Sequence, residues 1–148
     1  MDVLRGIISS DWVTIRQVFE AWSLEMPLSM TDTFVLEDGY SHAYDASRSI
    51  SLTSLALTDN QGRPVSADEL FRTLQLPLEG DIINELPPGL LAWAASGPAI
   101  QPARASTMLQ GMIATDGRVL LVTITSDDVA WARQVWLSIR HHPTHRPN

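Results

Sequence analysis

The chain has 148 residues, 45% of them hydrophobic and 18% charged, and a formal net charge of −7. This length and composition are typical of one globular domain with a single core, which we expect to span residues 1–148. Because Cys and Lys are both absent, the sequence excludes disulfides, thiolate metal sites, a Cys nucleophile, a Lys Schiff base and a P-loop Lys. The acidic balance, without any cluster of Arg, argues against a nucleic-acid partner.

The first element, within residues 1–21, is ambiguous between helix and strand. Trp12, Ile15, Phe19 and Trp22 fall on one helical face, whereas an alternating set that also contains Ile15 and Phe19 fits a strand with one miss. The Thr, Val and Ile residues of this segment favour a strand. We give the helical period more weight, so the segment is predicted to be a helix.

Apolar alternation predicts strands in the next part of the chain. The first is WSLEMP, residues 22–27, which Pro27 closes. In YSHAYD, residues 40–45, the alternation places three side chains on one face: Tyr40, His42 and Tyr44. The third strand covers residues 47–58, and its apolar phase shifts near Thr53, which indicates either a bulge or burial on both faces.

A short helix is predicted to start at Ala67. Ser66 and Glu69 have the spacing of a capping box, and the turn sequence DNQG at 59–62 precedes them. The helix should run for two to three turns. Its predicted buried face consists of Leu70, Phe71 and Leu74.

The C-terminal third predicts an antiparallel meander of three strands. Asp116 and Gly117 lie between two apolar strands, and an Asp-Gly pair in this setting is a strong hairpin signal. The strand GLLAWAAS, residues 89–96, precedes this hairpin. The last strand, within 118–126, begins with apolar residues on both faces, so it is predicted to be central in its sheet and covered twice.

A final helix follows the meander. Ser126 and Asp127 are predicted to cap it, with Asp128 in the first turn, where the helix dipole favours an anion. The sector that should face the core consists of Val129, Trp131, Ala132, Val135, Trp136 and Ile139. The outward side and the basic end take Arg133, Arg140, His141 and His142.

These elements predict an α+β fold, in which an antiparallel β-sheet is flanked by helices and the C-terminal helix packs on the sheet. The sheet has more apolar faces than the two helices can cover, and spare apolar surface indicates a protein partner or a homodimer. One candidate partner-binding patch consists of Leu55, Leu57, Val119 and Leu121. A second patch consists of Leu137, which departs from the core sector of the helix, together with Arg133 and Arg140.

His42 is the candidate catalytic residue, because it lies between Asp38 and Asp45 with several Ser residues nearby. The sequence has no G-x-S-x-G elbow and no Gly-rich oxyanion loop, so a structural His on a half-exposed strand is the favoured interpretation. The Ser and Thr residues spaced by two after it are interpreted as a solvated strand face. We therefore predict no catalytic residue and no enzyme activity.

The C-terminal residues His141, His142 and His145 offer nitrogen ligands for a metal. Adjacent His side chains diverge on a helix, and the tail 143–148 is expected to be flexible, whereas a specific site needs a rigid second shell. Asp127 and its neighbour are explained by helix capping. No metal or cofactor site is therefore predicted.

The order and spacing of WSLEMP, the Ser-rich strand, the capped SADELFRTL helix, GRVLLVTIT and ARQVWLSIR resemble the PsbP-like fold family over about residues 22–140. Its relatives include the Eag chaperones of type VI secretion and lipoproteins of the LpqN kind. The resemblance implies an antiparallel sheet flanked by helices and binding of another protein without catalysis; Eag chaperones hold a hydrophobic effector segment on a concave sheet face. A lipoprotein is not expected without a lipobox Cys, and the family does not explain the N-terminal segment.

The expected function is a non-catalytic protein-binding or chaperone-like role. One alternative is an immunity protein whose negative charge neutralises a basic toxin, which requires a dense carboxylate patch. The other alternative is a small hydrolase that uses His42. No apolar run reaches the ~18 residues of a membrane span, and no signal-peptide cleavage site is visible, so we expect a cytoplasmic protein.

Overall fold

The computed structural model describes residues 12–74, 80–99 and 105–142. The predictions made for residues 1–11 and for the tail 143–148 lie outside them. The described part of the chain is mostly antiparallel strand, arranged in two sheets, with two short α-helices. No helix in these ranges is both long enough and apolar enough to cross a membrane.

The element bounds are as follows. The strands are β1 Val13–Val18, β2 Trp22–Pro27, β3 Val35–Glu37, β4 Tyr40–Tyr44, β5 Ser49–Ala56, β6 Asp81–Ile82, β7 Leu91–Pro98, β8 Thr107–Thr115, β9 Arg118–Ser126 and β10 Arg140–His141. The helices are a 3-10 helix Leu28–Thr33, α1 Ala67–Thr73 and α2 Val129–Ser138.

The smaller sheet has the order β1-β2-β10 and shows that the helix predicted for the N-terminal segment is wrong over β1. The residues Phe19 and Glu20 have φ of 51° and 64°, which makes a tight turn that returns the chain antiparallel to β1. Long-range pairing with β2 decides between two periods that the sequence satisfied almost equally. The helical end expected at Arg140 and His141 is also wrong, because these residues form β10 beside β2.

The larger sheet has seven strands in the order β3-β4-β5-β9-β8-β7-β6, all paired antiparallel. The predicted meander β7-β8-β9 is confirmed, with Gly117 at φ +77° in the β8–β9 turn. The central position predicted for β9 is also confirmed. The bulge considered near Thr53 is absent, since β5 pairs with β9 without interruption from Ser49 to Ala56. Burial on both faces explains the phase shift, because Leu52 and Leu57 contribute to different hydrophobic clusters.

The main hydrophobic core lies between one face of the large sheet, the small sheet and α2. Trp136 of α2 is completely buried there, and its indole Nε1 donates a hydrogen bond to the backbone oxygen of Glu85 at 3.0 Å. Gly111 of β8 makes room for the ring, because a Cβ at this position would overlap it. The prediction that the C-terminal helix packs on the sheet is therefore confirmed.

The two helices are capped by side chains. Ser66 accepts a hydrogen bond from the backbone N–H of Glu69, as predicted, and α1 begins at Ala67. Asp128, rather than the predicted Asp127, caps α2 by accepting from the N–H of Trp131.

Asp127 instead joins the start of α2 to the segment that leads into β8. It accepts hydrogen bonds from the backbone N–H and the hydroxyl of Ser106, and these bonds hold the pKa of Asp127 below its ordinary value.

Candidate functional site

The face of the large sheet opposite the main core is covered only at one end among the described residues. There α1 packs on a second hydrophobic cluster with Leu70, Met112, Ala114 and Val119 at its centre. Most of the rest of this face, called here the open sheet face, is exposed or half-buried, although Ala95 of β7 is buried. Its central members are Tyr40, His42, Tyr44, Ser49, Ser51, Thr53, Met108, Gln110, Thr123 and Thr125.

Three aromatic rings form a stack along β4 on the open sheet face. The ring centroids of Tyr40 and His42 are 6.3 Å apart with an interplanar angle of 17°, and those of His42 and Tyr44 are 5.5 Å apart at 28°. Both flat faces of the imidazole are thus occupied by phenol rings. The two tyrosines remain 40% and 38% exposed, so large amphipathic side chains are available to a partner at this place.

Hydroxyl groups form a second feature beside the aromatic stack. Ser49 pairs with Thr125 across β5 and β9, and their hydroxyl oxygens are 2.6 Å apart. Ser51 lies directly opposite Thr123 in the same register. Each hydroxyl can both donate and accept a hydrogen bond. The open sheet face therefore combines an aromatic border with a polar centre that fits backbone or polar side-chain groups of a ligand.

Two acids were predicted near His42; Asp38 lines a depression at the turn after β3, and Asp45 binds Arg48 and the turn that follows β4. Asp45 accepts from the guanidinium of Arg48 at 2.7 and 3.0 Å and from the backbone N–H of Ser47 at 3.1 Å. Partial burial raises the pKa of Asp45, but these hydrogen bonds, the charge of Arg48 and the hydroxyl of Ser29 outweigh it and lower the pKa overall. The hydrolase alternative stays a prediction. Its test is whether the chain hydrolyses any of a panel of esters and phosphates, and whether His42→Ala abolishes that hydrolysis.

The first predicted partner-binding patch is brought together in space, but α1 lies over most of it. Val119 is 1% exposed and belongs to the cluster beneath α1. Leu57 and Leu121 are half-buried against the same cluster, whereas Leu55, which pairs with Val119, is 42% exposed. The structure thus places Val119 in the core, and partner binding by the other three residues stays a prediction.

The second predicted patch lines an open depression of about 520 Å³ beside α2, called here the helix groove. Its lining consists of Glu25, Glu85, Val129, Ala130, Arg133, Gln134, Leu137, Ser138 and Arg140. Leu137, predicted to point outward, is half-buried and also packs against the main core. The helix groove therefore joins all three residues of the patch.

The C-terminal histidines hold β10 in place. The ring of His141 lies 4.7 Å from the ring of Trp22, and Nε2 of His142 is 2.7 Å from the hydroxyl of Ser23. Burial, and next the charge of His142, lower the pKa of His141. No group of three or more acids and histidines within 12–74, 80–99 and 105–142 has the geometry of a metal site; His145 lies outside these ranges.

A second depression, of about 650 Å³, is lined by carboxylates that the sequence did not indicate as a group. Glu20 comes from the turn after β1, whereas Glu37 ends β3 and Asp38 begins the turn that follows it. Arg118 at the start of β9 lies at the same depression. Only the tertiary fold brings these two turns together, so no local sequence signal predicts the patch.

A comparison of the sequence with known protein-family models gave no match, and a search of curated proteins found no similar chain.

Proposed function

We propose that this chain is a non-catalytic binding domain that holds a segment of another protein on its open sheet face. The observation that carries the proposal is the exposed stack of Tyr40, His42 and Tyr44 beside the hydroxyl groups of β5 and β9. An α+β architecture of the PsbP-like kind and a cytoplasmic location are part of the same proposal. The resemblance to that family supports it, since the Eag chaperones also use a sheet face for binding.

The chemistry of the open sheet face suits a protein segment. Tyr side chains bury a large area while losing little conformational entropy, which is why they are frequent in binding surfaces. The hydroxyls of Ser51 and Thr123 can satisfy polar groups that the segment would otherwise bury without a partner. A segment with apolar residues over the aromatic stack and polar groups over the centre would match both features.

Site-specific cross-linking tests the proposal. A photo-reactive amino acid is placed at Tyr44 in the native host, and in a matched control at Leu36, which is 48% exposed but belongs to the opposite side of the sheet. The protein cross-linked at position 44 is identified and purified, and its binding is then measured directly. Tyr40→Ala/Tyr44→Ala should weaken binding at least tenfold, about 1.4 kcal/mol or more, whereas Leu36→Ala should not.

Two results would contradict the proposal. One is equal cross-linking of the same protein from positions 44 and 36. The other is an unchanged Kd of the purified partner for the Tyr40→Ala/Tyr44→Ala variant, shown by circular dichroism to be folded.

The carboxylate-lined depression supports the immunity protein as a second candidate. Glu20, Glu37 and Asp38 line one concave surface together with Arg118, so its charge is negative on balance, which is the feature that a basic toxin would require. If the cross-linked partner is a basic toxin, Glu20→Gln/Glu37→Gln/Asp38→Asn should abolish protection of the host. Asp59→Asn/Glu69→Gln/Asp81→Asn, which removes three exposed charges elsewhere, is the matched control; equal protection by both variants would reject this candidate.

A further inference from the structure

We propose that two copies of this chain associate through the helix groove, related by a two-fold axis that crosses the outer side of α2. This inference does not depend on the proposed function, because the open sheet face and the helix groove are separate surfaces. The occupant of the groove is a second copy of the chain. The charges and the apolar residues that line the groove support this choice.

The outward side of α2 supplies a continuous row along the groove. Ala130, Arg133, Gln134 and Leu137 stand at helical spacings of three and four, so they share one side of the helix. Residue Glu85 lines the same groove from the segment before β7. An apolar centre at Leu137 flanked by charges has the anatomy of a protein interface.

The charges of the groove are self-complementary. Two cations, Arg133 and Arg140, face two carboxylates, Glu25 and Glu85, so the surface is locally neutral on a chain of net charge −7. A second copy, equally acidic, meets little repulsion at such a surface. In an isologous interface Arg133 of one copy can meet Glu85 of the other, and the symmetry repeats the pair.

The guanidinium of Arg133 is incompletely satisfied within one copy. Its Nε is buried and has no hydrogen-bond partner, and the ion pairs recorded among the described residues are Arg48 with Asp45 and Arg63 with Asp59, both away from the groove. A buried donor without an acceptor costs free energy. The buried Nε itself is out of reach of a second copy, but Arg133 as a residue is only half-buried, so a carboxylate of a second copy can bind its accessible atoms through charge-assisted hydrogen bonds.

A neighbouring depression enlarges the surface. It has a volume of about 580 Å³ and shares Glu25, Ser138 and Arg140 with the helix groove. Ile15, which is 67% exposed on β1, lines it and extends the apolar area. A specific interface generally buries about 1,200–2,000 Å² in total, so a contact that spans both depressions is the arrangement we expect.

Sedimentation equilibrium of the purified chain over a wide concentration range tests the inference. The wild type should approach twice its 16.4 kDa mass as concentration rises. Arg133→Glu and Glu85→Arg should each weaken self-association at least tenfold, because each places like charges opposite one another. The control Arg72→Glu, on the exposed side of α1, makes the same charge change and should leave the Kd unaltered.

A mixing experiment separates pairing between copies from effects within one copy. The Arg133→Glu chain and the Glu85→Arg chain, each monomeric alone, should form a heterodimer of near wild-type affinity, since both cross-pairs again join opposite charges. The Arg133→Glu/Glu85→Arg chain should likewise recover homodimerisation. A wild type that stays monomeric throughout, a dimer that neither single variant weakens, or variants that remain folded but fail to associate on mixing would each overturn the inference.

Discussion

The two faces of the seven-stranded sheet are built by the same strands but meet different surroundings. On the covered face, Leu52 and Val122 are buried under the small sheet and α2, while their immediate neighbours Ser51 and Thr123 are half-buried on the open sheet face. Alternation with a period of two thus assigns one face to stability and leaves the other available for binding. Under the proposed function, substitutions along a single strand should therefore change stability and binding separately.

The largest expected effect is on the covered face. Trp136→Ala removes a fully buried indole above Gly111 together with its hydrogen bond to the Glu85 carbonyl. We expect the free energy of unfolding to fall by about 3–5 kcal/mol. Urea denaturation followed by circular dichroism measures it, and Tyr44→Ala on the open sheet face should cost about 1 kcal/mol or less. Equal losses of unfolding free energy in the two variants would contradict the different contributions of the two faces to stability.

Substitutions in the cluster beneath α1 should have an intermediate effect on the free energy of unfolding. Val119→Ala deletes two methyl groups beneath α1 and should cost about 2 kcal/mol, including the cavity that it leaves. Leu55→Ala, at the position paired with Val119, should cost less because Leu55 is largely exposed. Denaturation of the two variants under one condition tests this order, and a larger loss for Leu55→Ala would show that α1 does not provide the cover described.

A smaller effect is expected from pH through His141, which belongs to the strand that completes the small sheet. Its pKa is lower in the folded chain than the ordinary 6.5, so the unfolded chain binds the proton more readily. The contribution of His141 to stability is therefore complete above its ordinary pKa and is lost as pH falls below it. Thermal unfolding at ~pH 8 and ~pH 5 should show a smaller acid loss in His141→Phe than in the wild type; identical losses would contradict this.

The smallest effect is expected at the centre of the open sheet face. Ser51→Ala/Thr123→Val removes the two opposed hydroxyls at half-buried positions and should change the free energy of unfolding by about 0.5 kcal/mol or less. The same variant should weaken binding of the cross-linked partner. Urea denaturation should therefore show nearly unchanged stability, while calorimetry shows weaker binding. A parallel loss of stability and affinity would contradict separate roles for the two faces.

Features of the fold that depend on neighbouring residues were predictable from the sequence. The alternation in β2 and β4, the Asp-Gly turn before β9 and the Ser66 cap of α1 all appear where the local pattern places them. The small sheet was not predictable in this way, because β1 and β10 acquire their conformation by pairing with β2. The edge strands β3 and β6 are too short to give a periodic signal.

The candidate site was predictable in part for the same reason. Alternation places Tyr40, His42 and Tyr44 on one face without reference to any other element. It does not reveal that α1 covers Val119, because that contact depends on where a helix distant in sequence packs. Arg133, Leu137 and Arg140 were recognised from their departure from the core sector, but the carboxylates opposite them come from segments that only the fold brings near.

The small sheet joins segments that are far apart in the chain, and we expect this separation to affect the order of folding. Ser23 and His142, joined through their side chains, are 119 residues apart in the chain. Contacts of such long range close a large loop and slow folding, whereas the β7-β8-β9 meander needs only neighbouring segments. During synthesis the β1–β2 hairpin would therefore remain without its third strand until Arg140 and His141 leave the ribosome. In refolding, the fluorescence change of Trp22 should develop after that of Trp93 in the meander.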